Sequence, residues 1–359
     1  MAHLALLMLT DMDTRALRRI KIYFGTALRA WKDLKDLPPQ LAGGSDPELR
    51  KRRWIREKEK IHPERVLEKV ASKGIKVLMK GEEGYPPLLA KIFDPPELIF
   101  LLGEVGLRDD RMIAVVGSRK GTSYGCFMAE QLALGLSERG IGVVSGAAYG
   151  IDAAAHKGSL KAGGPTFAVL GCGFDHLYPA GHRELFAKIR EKGSLISEYP
   201  PHTPPQAWLF PERNRIIAGI SQGVVVVEAG LKSGALITGD FALEEGREVF
   251  ALPGSISNPL SAGPHRLIQQ GAKLVTGVED ILEEFGWSSR LIEKGVMRED
   301  LTLEERELIK LFPPEPIRSE ALLQGWNKDA GSFFLSLTNL LLKGMIREEV
   351  GGYYVKVHH

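Results

Sequence analysis

Apolar positions between residues 112 and 152 form two short unbroken runs with a helical stripe between them. The first run, 113–116, is rich in β-branched residues and stops at Gly117-Ser118-Arg119. From 123 to 139, Met128, Ala129, Leu132, Ala133 and Leu136 recur at helical spacing, and Gly140 ends the pattern. The second run, 141–144, stops at Ser145-Gly146. Apolar strands without alternation, joined through a helix, signal a parallel sheet buried on both faces. The same rhythm continues. It predicts strands at 112–116, 141–145, 166–170, 194–197, 223–227, 248–252 and 273–275, with helices at 212–220, 236–245 and 265–270. The middle of the chain therefore reads as a doubly wound α/β domain over 111–286.

The flanks have other patterns. Residues 1–70 are helical in spacing, with Leu17, Ile20 and Phe24 on one face, and Pro38-Pro39 and Gly43-Gly44 break the pattern. Residues 71–110 read as a connector. A short strand at 75–79 is expected there, then irregular chain imposed by Tyr85-Pro86-Pro87 and Asp94-Pro95-Pro96. Residues 287–300 read as a polar linker. In 301–359 three helical patterns are followed by two strands around Gly351-Gly352, the outline of a winged helix. Thr302 with Glu305 marks the first of these helices. The third carries almost no positive charge, so a protein-contacting or structural role stands beside DNA binding.

Composition narrows the classes. Apolar residues make up 44% of the 359 and charged residues 26%, as in an ordinary globular protein. The net charge is +2, so a site for a polyanion must be built locally. Charge is dense at 46–60, where a solvated helix with ion pairs competes with a basic face on nucleic acid. Two cysteines, Cys126 and Cys172, form no disulfide framework and point to a reducing, cytoplasmic setting. No run reaches the length of a membrane span.

Chemistry is concentrated where strands end. Gly117-Ser118-Arg119, Ser145-Gly146, Gly171-Cys172-Gly173, Glu198-Tyr199, Glu228-Ala229-Gly230 and Pro253-Gly254 follow successive strands. Such turns offer backbone N–H groups to phosphate, and Arg119 adds a planar fork. Phe210, Arg213, Asn214 and Arg215 open a later helix, and Ser233-Gly234 opens another. Arg213 and Arg215 point nearly opposite ways on a helix, so one faces the site and the other is free to pair with Glu198 or Glu228. A dinucleotide fits poorly, because the glycines at 117, 121 and 125 lack the G-x-G-x-x-G spacing. Asp152 and His156, with Ser145, admit a hydrolase reading without a nucleophile elbow. Cys172, His176 and His182 lack compact metal-ligand spacing. A single strand of nucleic acid needs phosphate contacts and stacking faces, which Arg119, the arginines of the later helix, Phe210, Trp208 and Tyr149 supply.

At these residues the chain resembles the DNA-processing protein A family, DprA or Smf. The resemblance runs through VVGSRKGTSYG at 115–125, SGAAYGIDAAAH at 145–156, AVLGCGFDHLYP at 168–179, ISEYPP at 196–201, FPERNRIIAG at 210–219, VVVEAGLKSGALIT at 225–238 and FALPGSISNPLSAGPHRLIQQGA at 250–272. It implies an extended Rossmann-like, doubly wound, mostly parallel sheet. It also implies an N-terminal helical domain of sterile-alpha or helix–hairpin–helix type and a C-terminal winged-helix-like domain. The implied function is non-enzymatic and needs no cofactor. The protein binds single-stranded DNA, protects it and loads RecA during natural transformation, as a homodimer through the Rossmann-like domain. DNA contacts carry over to Gly117, Ser118 and Arg119, and to Phe210, Arg213, Asn214 and Arg215, with Ser145-Gly146 and Ser233-Gly234 as neighbouring turns. The chain departs from the family at Tyr149, where many members are basic, and at Ala180-Gly181. Two other readings use the same strand ends, a phosphoribohydrolase-like nucleotide N-glycosidase and a nucleotide sensor.

Overall fold

The computed structural model describes residues 1–10, 12, 14–107, 111–287, 302–313, 317–342, 345–349 and 353–356. The chain divides into two compact units, Met1–Ser289 and Arg290–His359.

The first unit begins with six helices: α1 (Ala2–Leu7), α2 (Thr14–Phe24), α3 (Ala27–Lys32), α4 (Pro39–Ala42), α5 (Pro47–Lys58) and α6 (Pro63–Ser72). Alternation follows: β1 (Lys76–Met79), α7 (Pro87–Ala90), β2 (Leu98–Gly103), β3 (Met112–Val116), α8 (Ser123–Glu138), β4 (Gly142–Ser145), α9 (Ile151–Ala162), β5 (Thr166–Leu170), α10 (Arg183–Lys192) and β6 (Ser194–Ser197). The unit closes with α11 (Leu209–Ile220), β7 (Gly223–Val226), α12 (Gly234–Glu244), β8 (Glu248–Ala251), α13 (Ala262–Gln269), β9 (Lys273–Leu274) and α14 (Val278–Glu284). The strands form one nine-stranded sheet in the order β1-β2-β6-β5-β4-β3-β7-β8-β9. From β6 to β9 all pairs are parallel, while β2 lies antiparallel to both β1 and β6.

Every residue of β3, β4, β5 and β7 is buried, which is why these strands carry no polar alternation. Odd and even positions feed different cores. Ile113, Val115 and Val225 pack with Leu132, Leu136 and Ala155 on one face. Ala114, Val116 and Val224 pack with Ile216, Ile217 and Leu236 on the other. The chain winds outward from β3 through β4 to β6, then returns to β7 on the opposite side of β3. The direction reverses between β3 and β7, so their carboxyl ends frame the crevice where doubly wound sheets bind ligands.

Two features differ from the sequence reading. The segment 71–110, expected as a connector with one short strand, contributes that strand as β1 and a second one: the prolines end at Pro96, and β2 follows with Leu98–Leu102 buried. The N-terminal helices also share a core with the sheet. Leu4, Leu17, Ile20 and Trp54 belong to one apolar cluster with Phe100, Leu170 and Leu195.

The second unit holds α15 (Leu303–Lys310), β10 (Ile317–Arg318), α16 (Ser319–Gln324), α17 (Ala330–Leu342), β11 (Ile346–Glu349) and β12 (Tyr353–Lys356). The strands pair antiparallel in the order β10-β12-β11. Thr302 and Glu305 form the expected capping box. Leu308, Trp326, Phe333 and Leu340 build its core. The turn expected at Gly351-Gly352 lies outside the described residues. No helix among the described residues is long and apolar enough to cross a membrane.

Candidate functional site

The turn after β3 is fixed from below by a buried carboxylate. Glu228 Oε2 accepts the Thr122 backbone N–H at 2.7 Å, and Oε1 accepts the Thr122 hydroxyl at 2.7 Å and Asn258 Nδ2 at 3.3 Å. The Glu228 carbonyl accepts Ser118 N–H at 2.6 Å. Thr122 in turn caps α8 by accepting Gly125 N–H at 3.0 Å. A Cβ on Gly117 would lie 2.7 Å from Ile151 at the start of α9, so only glycine lets the turn pass. This clamp leaves Arg119 and Lys120 exposed. Arg119 Cζ sits 5.5 Å from the centroid of the Phe210 ring, close enough for a cation–π contact.

Phe210 lies in the first turn of α11, and the two arginines beyond it turn inward. Arg213 is 4% exposed; its Nη1 donates to Gly146 O at 2.9 Å and also to Val169 O. It faces Asp152 across Gly146, where a Cβ would lie 2.7 Å from Arg213 Nη2 and 2.7 Å from Asp152 Oδ2. Burial lowers the Arg213 pKa to about 10 against the pull of Asp152. Burial raises that of Asp152, opposed by Arg213 and by backbone N–H groups. Arg215 Nη2 holds both oxygens of buried Glu198, at 2.7 and 2.8 Å, and its Nε reaches Asp94 at 3.5 Å.

The expectation that one of this pair reaches a ligand is therefore corrected. Arg215 makes the anticipated pair with Glu198, and Arg213 is a strut beneath the Ser145-Gly146 turn. Ser145 is likewise withdrawn, because its hydroxyl donates to Val115 O at 2.7 Å and stitches β4 to β3. Asn214 Nδ2 donates to Gly234 O at 3.0 Å, tying α11 to the start of α12. Ser233 accepts Ala235 N–H at 3.3 Å as the cap of that helix. Gly234 is exposed, with open space where a Cβ would be.

The surface the structure assembles is the turn 117–120 and a set of aromatic rings. Tyr178, 45% exposed, packs its ring 5.6 Å from that of Phe210. Tyr149 rests edge-on against His182 at 4.6 Å and is half exposed, as is Trp208. Sequence reasoning had not singled out Lys120 or Tyr178. Their signals were adjacency to Arg119 and a place in the LYP motif.

The residues of the hydrolase reading have separate partners. Ser145 is bound to Val115 and Asp152 to the N–H of Ala148, while His156 Nδ1 shares a hydrogen bond with Thr166 Oγ1 at 2.7 Å. Burial pulls the His156 pKa down to about 3. Among the described residues no group of three potential metal ligands converges, at Cys172, His176 and His182 or elsewhere.

Comparison with known proteins agrees with this fold. A family model described as DNA recombination-mediator protein A matches residues 76–286. The DNA processing protein DprA of Bacillus subtilis is 45% identical over 229 residues, which are 63% of this chain and 77% of that protein. Protein Smf of Escherichia coli is 42% identical over 279 residues, covering 76% of this chain and 75% of that protein. The crystal structure of DprA from Streptococcus pneumoniae superposes with a TM-score of 0.68 at 36% identity, covering 79% of this chain and 98% of that one. DNA processing protein A from Helicobacter pylori superposes with a TM-score of 0.53 at 26% identity, covering 59% and 95%. That structure was described for its single-stranded DNA binding mode. A match across more than half of the chain, over the whole sheet that carries the site, settles the family: the chain belongs to the DNA recombination-mediator protein A family.

Proposed function

We propose that this protein binds single-stranded DNA along the carboxyl ends of its parallel strands, protects it and loads RecA onto it during natural transformation. It does so as a homodimer through the Rossmann-like domain and without catalysing a reaction. The observation that carries the DNA contact is the exposed Arg119 guanidinium held 5.5 Å above the half-buried Phe210 ring, on a turn clamped by Glu228. A fork for phosphate and a face for a base then lie side by side, which is what sequence-tolerant binding of a single strand requires. Tyr178, Tyr149 and Trp208 extend the stacking surface, and Lys120 adds charge. Family membership and the single-strand binding mode described for the Helicobacter pylori relative support the same reading.

The test is fluorescence anisotropy of a labelled thymidine oligonucleotide at two salt concentrations, with duplex as competitor. The expected result is salt-sensitive binding that duplex displaces poorly. Arg119→Ala should weaken it and flatten the slope of log K against log salt by about 0.7, the share of one phosphate on a single strand. Unchanged affinity and slope in that variant would remove Arg119 from the interface. RecA loading is read as faster RecA filament formation on DNA already coated by single-strand binding protein; no acceleration would remove that part of the proposal.

A further inference from the structure

The exposed face of α2 carries cations and a ring in a row. Its inner positions Ala16, Leu17 and Ile20 are buried in the core shared with the sheet. Of its four basic residues, Arg18 pairs with Asp94 at 2.6 Å and Lys21 with Glu97. Both acids lie on the chain entering β2, whose start pairs beside the carboxyl end of β6. These bonds fix α2 at the end of the sheet where the parallel strands finish. Arg15, Arg19, Ile22 and Tyr23 then face outward, at spacings that place them on one side of a helix. Ile22 is 73% and Tyr23 51% exposed.

The row borders the first turns of α11. Arg15 Nη2 contacts Glu212 Oε1 at 2.9 Å, and Glu212 lies two residues beyond Phe210 on α11. The Arg15 side chain stays 62% exposed, so part of its fork is available. Among the described residues no carboxylate pairs with Arg19. Its Nη2 lies 3.0 Å, and Arg50 Nη1 3.7 Å, from the point a Cβ on Gly43 would occupy. Both guanidiniums therefore approach the Gly43-Gly44 turn.

We propose that the face of α2 bearing Arg15, Arg19 and Tyr23 is a second segment of the DNA track, taking the part of a single strand that runs on past Phe210. The inference rests on the single-strand reading above. The occupant follows from charge complementarity and from the docking of α2 at the end of the sheet where the parallel strands finish. A strand leaving Phe210 meets Arg15, then Arg19, then a ring able to stack. Arg15 to Tyr23 spans roughly 12 Å of helix and adds about two phosphate contacts.

Oligomer length separates this inference from the reading beneath it. Full-length protein is titrated with thymidine oligomers of about six and about twenty nucleotides, within and beyond the usual reach of one binding fold. Arg19→Ala and Tyr23→Ala alter exposed side chains, and an unchanged thermal midpoint verifies the fold. Each should weaken binding of the long oligomer roughly fivefold and leave the short one unaffected, whereas Arg119→Ala weakens both. Wild-type affinity of both α2 variants for the long oligomer overturns the second segment alone. Absence of binding by the wild-type chain at low salt overturns the single-strand reading and the extension together.

Discussion

His156 shows how completely one polar side chain can be absorbed by the fold. It sits on α9 with zero exposure, its Nδ1 on Thr166 and its Nε2 without a partner. In the unfolded chain it takes a proton near pH 6.5, whereas burial holds the folded group neutral down to about 3. A depressed folded pKa means its contribution is intact above pH 6.5 and is lost as pH falls toward 3. Through that window the loss is about 1.4 kcal/mol per pH unit, one proton's worth. His156→Gln keeps a polar group near Thr166 and removes the titration. Urea unfolding at pH 6.5 and pH 5 should therefore show a shallower acid-side loss in the variant, by about one proton. Equal slopes would show that His156 is not held neutral. Arg213 is the companion case. From spacing alone, one guanidinium of the pair at 213 and 215 should face outward, and neither does. The space that admits Arg213 exists because residue 146 has no side chain, a relation between two distant motifs that helical spacing does not carry.

At the scale of elements, the clamp on the β3–α8 turn makes the opposite prediction from simple electrostatics. Glu228 is a carboxylate beneath the turn proposed to contact DNA, so removing it would be expected to tighten DNA binding. Its three accepted bonds hold the turn in shape instead. Glu228→Ala leaves the Thr122 N–H without its acceptor, which costs about 1–3 kcal/mol, and releases the loop that carries Arg119. Affinity for the single strand should fall, with faster amide exchange at residues 117–122; tighter binding would show that charge outweighs geometry. The elements themselves were largely legible. The central parallel strands β3, β4, β5 and β7 were visible as unbroken apolar runs, because burial on both faces removes alternation. β2 was hidden by Pro95-Pro96, although proline restrains only itself and the residue before it. The role of α2 was hidden for another reason: its outward face gains meaning only from where Arg18 and Lys21 dock it.

Across the whole molecule 47 basic and 45 acidic residues nearly cancel, so any affinity for DNA comes from where exposed cations are grouped. In the first unit exposed cations stand at the strand ends, on α2 and on α5. The second unit supplies no comparable group on its longest helix, since α17, Ala330–Leu342, contains neither lysine nor arginine and buries Phe333, Leu337 and Leu340 in its own core. A helix of that composition cannot neutralise phosphates in a groove, and without such contacts there is no counterion release to drive binding. A chain ending at residue 287 keeps every residue of the strand-end surface and of the α2 row. It should unfold as one cooperative transition, because the N-terminal helices and the sheet share a core. It should also bind a thymidine oligomer within about twofold of the full chain, with the same salt slope. Titration of the two forms side by side decides the matter. A large loss of affinity on truncation would assign the second unit a direct part in holding DNA, through residues other than those of α17.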